Sequence, residues 1–186
     1  GFKRLLVKNN NNHQRLTFLS KKFPNAHFLL MVREPISHSI SLLSQHLNFL
    51  EIQKKDRFVL EYMNALGHFE FGLNAKPFIY LNSSWYKKKN LLSIDYWISQ
   101  WIQTYEWVLK NNILKNKNIS LILYEDLFKK ENAYEKICKL INIKNIESGL
   151  LFKSANEKYQ TNLPKINKVY LNYAIDLYKK LKEKSF

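Results

Sequence analysis

The stretch Phe23-Pro24-Asn25-Ala26-His27-Phe28-Leu29-Leu30-Met31-Val32-Arg33-Glu34-Pro35 decides the fold of this chain. Its segment from His27 to Val32 is almost continuously apolar, which is typical of a parallel strand covered on both faces. Arg33 stands at the carboxyl end of that strand, where ligands bind in open α/β sheets. Pro35 favours the start of a helix, because its missing N–H needs no partner in the first turn. The stretch therefore predicts a strand, a ligand-binding edge and a helix.

The helix that begins at Pro35 carries both an apolar stripe and a row of hydroxyls. Apolar residues at four-three spacing predict that its buried face consists of Ile36, Ile40, Leu43, Leu47 and Leu50. Ser37, Ser41 and Ser44 run along the edge of that stripe. A guanidinium, a hydroxyl and the positive end of a helix together suit a dianionic phosphate. The residues alone leave an alternative open, in which Arg33 forms a structural salt bridge and the serines are ordinary helix surface.

Three segments resemble sulfotransferases that use 3'-phosphoadenosine 5'-phosphosulfate (PAPS). The first is Phe-Pro-x-Ala, an apolar run, Arg-x-Pro and a serine eight positions after the arginine; in that family this arginine and serine hold the 3'-phosphate, and they match Arg33 and Ser41. The second is ISLILYEDL at 119–127, similar to a later strand of the family. The third is Leu5-Leu6-Val7-Lys8, similar to an earlier strand ending in lysine. Together the resemblance covers most of the chain.

The resemblance implies an α/β, three-layer P-loop-kinase-like fold, with a central parallel sheet flanked by helices, in one domain over residues 1–186. The implied reaction transfers a sulfuryl group from PAPS to a hydroxyl or amine of a small-molecule or carbohydrate acceptor, leaving adenosine 3',5'-bisphosphate. The family's loop that cradles the 5'-phosphosulfate has no counterpart in this sequence. We therefore expect an N-terminally truncated domain that is inactive by itself.

The resemblance also suggests residues for catalysis. A histidine or glutamate usually serves as the base in related enzymes, and asparagine stands here where cytosolic members place their histidine. The nearest candidate is His13, whose alternative role is simply to open the next helix. His68 and Glu70 are further candidates, because the segment from Leu66 to Gly72 resembles bacterial members and is typical of an acceptor-site loop.

Four other residues are candidates for contacting the cofactor. Lys8 ends the first strand-like segment, where it could reach the cofactor or an acceptor oxygen, or simply face solvent. Lys153, Ser154 and Lys158 occupy the region where the family places a basic loop over the 3'-phosphate, although the glycines of that loop are absent. Tyr124-Glu125-Asp126-Leu127, by contrast, is expected to be structural rather than catalytic.

The formal charge of +15 raises a nucleic-acid interpretation. The lysines are interleaved with asparagine and isoleucine throughout, which favours a solvated lysine surface over a specific nucleic-acid site. The same charge would attract PAPS or a polyanionic acceptor. Two alternatives to the sulfotransferase interpretation stay open: a P-loop kinase-like phosphotransferase, and a non-catalytic basic module that binds nucleic acid or sulfated polymers.

Composition restricts the remaining classes. One cysteine, Cys138, and five scattered histidines show no metal-ligand spacing, and no apolar run approaches the length of a membrane span. The expectation is a cytoplasmic, bacterial protein.

Apolar periodicity predicts strands at Leu5 to Lys8, His27 to Arg33 and Leu121 to Tyr124, and helices at His13 to Lys22, Pro35 to Leu50, Phe58 to Leu66, from Ser93 onward, Ala133 to Leu140 and Ile166 to Leu181. Ile94, Trp97, Ile98, Trp101, Tyr105 and Val108 are expected to pack as one helix face.

Overall fold

A computed structural model describes residues 5–80, 83, 85, 90–129, 133–143 and 165–185 of the chain. The fold is mixed α/β, as the sequence predicts. In chain order its elements are a 3-10 turn Asn12–Arg15, α1 Leu16–Lys22, β1 Phe28–Val32, α2 Pro35–Lys55, α3 Arg57–Ala65, α4 Ile94–Lys110, a 3-10 turn Ile113–Lys115, β2 Ile119–Leu123, α5 Asp126–Lys129, α6 Ala133–Leu140 and α7 Lys168–Lys182.

The two strands of the described part form a parallel pair. Phe28 is opposite Ile119 and Val32 is opposite Leu123, so both strands end at the same edge. Two helices, α4 and α7, pack over this pair, and the shared core consists of Val32, Ile98, Trp101, Ile102, Tyr105, Leu121, Leu123, Ala174, Leu177, Tyr178 and Leu181. The predicted aromatic face of α4 is confirmed as packing, and Cys138 is buried with a free thiol.

Two backbone carbonyls at the end of β1, on the side away from β2, accept hydrogen bonds from side chains of α4. The Trp101 indole N–H donates to the Arg33 carbonyl at 3.1 Å, and the Tyr105 hydroxyl donates to the Met31 carbonyl at 3.2 Å. On the other side of the strand, Val32 accepts from the Tyr124 N–H. Because a buried carbonyl without a partner is costly, these two aromatic donors fix α4 against the end of β1.

Two predictions about individual elements differ from the structure, one of them wholly and the other in part. Residues 5–8 form no strand: Leu5 and Leu6 are each 88% exposed, because no described strand lies beside them to pair with their backbone. The predicted buried face of α2 is confirmed only in part: Ile40 is buried, but Leu47 is 43% exposed, and Ser39, His46 and Gln53 are buried instead.

The polar face of α2 has a physical cause in the loop that lies on it. The Gly72 N–H donates to His46 Nδ1 at 3.1 Å, and the Leu73 N–H donates to Gln53 Oε1 at 2.7 Å. The backbone amides of this loop have no partners in a sheet and need other acceptors. Side chains of α2 that carry oxygen or nitrogen therefore lie where the loop contacts the helix. Gly72 has a φ of 84°, and an added Cβ would lie 2.1 Å from Gln53 Oε1, so only glycine fits there.

Candidate functional site

The carboxyl ends of β1 and β2 form the first part of the site, called here the strand-end region: Arg33, Glu34, Tyr124 and Glu125. The Arg33 guanidinium carbon lies 5.1 Å from the centre of the Tyr124 ring. The Glu34 N–H donates to Glu125 Oε1 at 2.8 Å, and the other oxygen of Glu125 accepts from the Tyr178 hydroxyl at 2.7 Å. The arginine segment and the Tyr-Glu-Asp-Leu segment therefore meet in space.

The first turn of α2 is closed by the protein's own carboxylate. Glu34 Oε1 accepts from the Ile36 N–H at 3.0 Å, and Oε2 accepts from the Ser37 N–H at 2.7 Å. A carboxylate is a favourable N-cap because it pairs with both the free amides and the helix dipole. The expectation that this helix end contributes directly to a phosphate site is wrong in this respect. An anion beside Arg33 would be bound by side chains.

Ser41 and His38 lie farther along α2 on one face, since residues three apart on a helix are neighbours. Ser41 is half-buried, as is Arg33. Burial and the nearby Arg33 charge lower the pKa of His38 to about 4, against a smaller opposing effect of Glu125. His38 is therefore neutral at pH 7, and its ring is close enough to Arg33 to feel that charge.

A second group of side chains, called here the loop cluster, consists of Asn11, His13, His68, Glu70 and Tyr80. Glu70 Oε1 accepts from the Asn11 amide at 2.6 Å and lies 3.4 Å from His68 Nδ1. Burial by itself would raise the pKa of Glu70, but the hydrogen bonds from Asn11, its own backbone and His68 outweigh burial and hold that pKa below its usual value. The Glu70 side chain is therefore an ionised carboxylate that these hydrogen bonds hold in position.

His13 has both ring nitrogens engaged within the cluster. Nδ1 lies 2.9 Å from the Asn10 carbonyl, and Nε2 lies 2.5 Å from the Tyr80 hydroxyl. Burial lowers the pKa of His13 despite the opposing bond to Asn10, so the ring is neutral at pH 7. A carbonyl only accepts, so Nδ1 carries the proton of the neutral ring, and Nε2 faces the Tyr80 hydroxyl, which is also bonded to Thr104. His13 is accordingly placed to hold Tyr80 rather than to face a substrate.

His68 differs from His13 in its exposure. Its side chain is 54% exposed while that of Glu70 is 20% exposed. Glu70 faces Nδ1, and Nε2 has no hydrogen bond to any residue in the described ranges. A carboxylate at one ring nitrogen orients the ring and leaves the other nitrogen to meet a ligand.

The structure therefore brings three predicted catalytic residues, His13, His68 and Glu70, into one neighbourhood. Lys8 is exposed and makes no hydrogen bond or ion pair to a described residue. Lys153, Ser154 and Lys158 lie outside the described residues. The catalytic and binding roles of all these residues stay predictions.

Helix α4 links the two parts of the site. Trp101 bonds to the carbonyl of Arg33, whereas the Gln100 side chain accepts from the Phe78 N–H at 3.1 Å. Thr104, one turn after Gln100, is 3.0 Å from the Tyr80 hydroxyl. The strand-end region and the loop cluster thus rest on neighbouring faces of one helix.

Sequence reasoning missed Asn11, Tyr80 and Thr104. Asn11 belongs to a run of asparagines that carries no local signal, and its partner Glu70 is 59 residues away. Tyr80 meets His13 across 67 residues. Contacts at such separations between irregular segments leave no periodicity to detect.

Neither a metal-ligand cluster nor a membrane-spanning helix occurs in the described part of the chain. No group of three or more His, Cys, Asp or Glu residues in it could hold a metal ion. None of its helices combines the length and apolarity needed to cross a bilayer.

Comparison of the chain with protein-family models, with curated proteins and with solved structures finds no match.

Proposed function

We propose that this chain is a sulfotransferase domain that transfers a sulfuryl group from PAPS to a hydroxyl or amine of a small-molecule or carbohydrate acceptor. One observation carries the proposal: the two segments that resemble the family lie side by side at the ends of adjacent parallel strands. They are joined by a hydrogen bond between Glu34 and Glu125, 91 residues apart in the chain. A three-layer P-loop-kinase-like sheet and a cytoplasmic, bacterial setting belong to the same proposal.

In this proposal Arg33 and Ser41 bind the 3'-phosphate of the cofactor. The guanidinium offers paired donors that match a phosphate, and its half-buried position makes each charged hydrogen bond stronger than in water. The Tyr124 ring lies close to the guanidinium carbon and limits its orientations. These residues fit a phosphate, whereas the described part shows no loop with the amides, lysine and hydroxyls suited to the 5'-phosphosulfate.

The loop cluster would serve the acceptor. When bound, PAPS supplies the sulfuryl group, and the chain must remove a proton from the attacking hydroxyl or amine. His68 is the group best placed for this, because its side chain is 54% exposed and Glu70 faces its Nδ1. The ring of His68 would take the proton and Glu70 would stabilise the resulting imidazolium.

The test is calorimetric titration of adenosine 3',5'-bisphosphate into the protein and into two variants. Arg33→Ala is expected to weaken binding at least 100-fold, since it removes a bidentate charged contact. Arg57→Ala is the matched control, because Arg57 is 88% exposed and pairs only with Glu61 in the described part. Equal loss in both variants, or no binding by the unchanged protein, would contradict the proposal.

A basic polyanion-binding module is the second candidate, favoured by the charge of +15. Such binding falls steeply with salt and ignores the base and sugar of a nucleotide. Binding of heparin that is unaffected by Arg33→Ala, together with no response to the bisphosphate, would favour this module. Binding of ATP in preference to the bisphosphate would favour a kinase-like phosphotransferase.

A further inference from the structure

His38 lies near both residues assigned to the phosphate. It lies three positions before Ser41 on α2, and its ring feels the charge of Arg33 from the end of β1. Side chains three apart on a helix project side by side. A phosphate that touched both Arg33 and Ser41 would therefore be within reach of the ring of His38.

The two ring nitrogens of His38 are in different environments. Nδ1 is sealed from solvent and has no hydrogen-bond partner among the described residues, whereas Nε2 is not sealed. A buried N–H without an acceptor is costlier than a buried lone pair without a donor. The neutral ring therefore carries its proton on Nε2, where it can be donated to a ligand.

We propose that His38 donates a hydrogen bond from Nε2 to the same phosphate that Arg33 and Ser41 bind. This inference rests on the proposed function. It adds a third side chain to the site and predicts that bound phosphate raises the pH at which His38 titrates.

The charges around His38 explain the direction of this effect. Arg33 opposes a second positive charge, while Glu125, whose Oε1 accepts from the Glu34 N–H, favours it. Both carboxylates are already engaged, Glu34 by the amides of α2 and Glu125 by Glu34 and Tyr178. A dianion placed against the ring offsets the repulsion from Arg33 and the loss of solvent, so it raises the pKa of His38.

The test combines NMR with calorimetry, using adenosine 3',5'-bisphosphate as the probe. In the free protein the ring protons of His38 are expected to titrate near pH 4, and saturation with the probe is expected to move that midpoint up by roughly one unit or more. His27 is the internal control, because it lies before the opposite end of β1 and bonds to Ser120. Its midpoint should not move.

Two substitutions separate the effect of losing the hydrogen bond from the effect of changing the size of the side chain. His38→Leu is expected to weaken binding at pH 7 by about 10-fold, and His38→Gln, which keeps an N–H near the position of Nε2, by less than about 3-fold. Circular dichroism establishes that both variants are folded, and His27→Gln is expected to bind like the unchanged protein.

The outcomes distinguish the two proposals. Binding that is lost in Arg33→Ala but unchanged in His38→Leu, with a stationary His38 midpoint, would overturn the role of His38 and keep the phosphate site. No binding by the unchanged protein, or binding indifferent to Arg33→Ala, would overturn both. A weakened His38→Leu, a near-normal His38→Gln and a raised midpoint are the results that the inference requires.

Discussion

The strand-end region and the loop cluster differ in what holds them in place. Arg33 and Glu125 follow paired strands, and their positions are set by the parallel register and by bonds to backbone groups. Asn11, His68 and Glu70 lie outside helices and strands, and side-chain contacts hold them together. The first region should therefore be lost only when the fold is lost, whereas the second can be rearranged separately.

This difference has a functional meaning in the proposal. A cofactor common to a whole class of reactions is best bound by a rigid edge, and loops on a rigid scaffold are where acceptor recognition is usually carried. Four predictions test the contrast, and they run from the largest expected change in the free energy of unfolding to the smallest.

Substitution of Glu125 should have the largest effect. Glu125→Ala removes the acceptor of two hydrogen bonds, from the Glu34 N–H and the Tyr178 hydroxyl, and is expected to lower the free energy of unfolding by about 3 kcal/mol. Urea denaturation measures the change. Glu61→Ala is the control, since its 60% exposed carboxylate pairs with Arg57 and should cost less than about 0.5 kcal/mol. Equal effects would refute the idea that the strand ends are locked.

Acidification should destabilise the protein through buried histidines. The folded-state pKa of His38, about 4, is below its unfolded value of 6.5, so the stability is complete above pH 6.5 and is lost as pH falls from 6.5 towards 4. Between pH 7.5 and pH 5 this residue alone is expected to contribute a loss of about 2 kcal/mol.

Urea denaturation at the two pH values checks this, with His38→Gln as the comparison. The variant should show a smaller pH dependence, because glutamine does not titrate. The remaining dependence is expected from His13, His27 and His46, whose pKa values burial also lowers. An identical pH dependence in the variant would contradict the assignment.

Gly72 tests how firmly the loop is fixed to α2. Gly72→Ala would push a Cβ into Gln53, whose side chain bonds to Leu73 and Met63, and should lower the free energy of unfolding by about 2 kcal/mol. Gly67→Ala is the matched control: its φ is also positive, at 71°, but nothing lies within 4 Å of the new atom. It should cost about 1 kcal/mol from backbone strain alone. If the two variants lost the same free energy of unfolding, the contact with Gln53 would contribute nothing to the cost of Gly72→Ala.

The smallest effect is expected at Asn11. Asn11→Ala removes one half-buried hydrogen bond to Glu70 and should lower the free energy of unfolding by about 1 kcal/mol or less. Hydrogen exchange should nevertheless increase at the amides of residues 68–72 while the amides of β1 stay protected. If exchange rose equally in β1, the loop cluster would not be an independent unit.

Much of the fold could be predicted from local pattern. The strand over Phe28–Val32, the helix from Pro35 and the Ser93 cap of α4, whose hydroxyl accepts from the Asp95 N–H, all agree with expectations. Each depends on a short-range cause: a β-rich apolar run, a proline at the first turn, a hydroxyl before an apolar helix. The burial of Trp97 and Trp101 followed from helical periodicity alone.

The predictions that differ from the structure share another cause. The stripe predicted on α2 counted apolar residues, but the face that is buried was selected by the loop amides at Gly72 and Leu73, which need His46 and Gln53. Residues 5–8 are apolar enough for a strand, yet a strand also requires a neighbour to pair with, which no single segment encodes.

The sequence by itself determined the α/β character, the position of Arg33 after a strand and the set of candidate side chains, because these depend on neighbours within one turn or one strand. Only the tertiary structure decided that Arg33 meets Tyr124, that His13 is occupied by Tyr80 and that His68 is exposed beside Glu70. The physical reason is that hydrogen bonds and ring contacts between distant segments depend on register and packing, which no local pattern specifies.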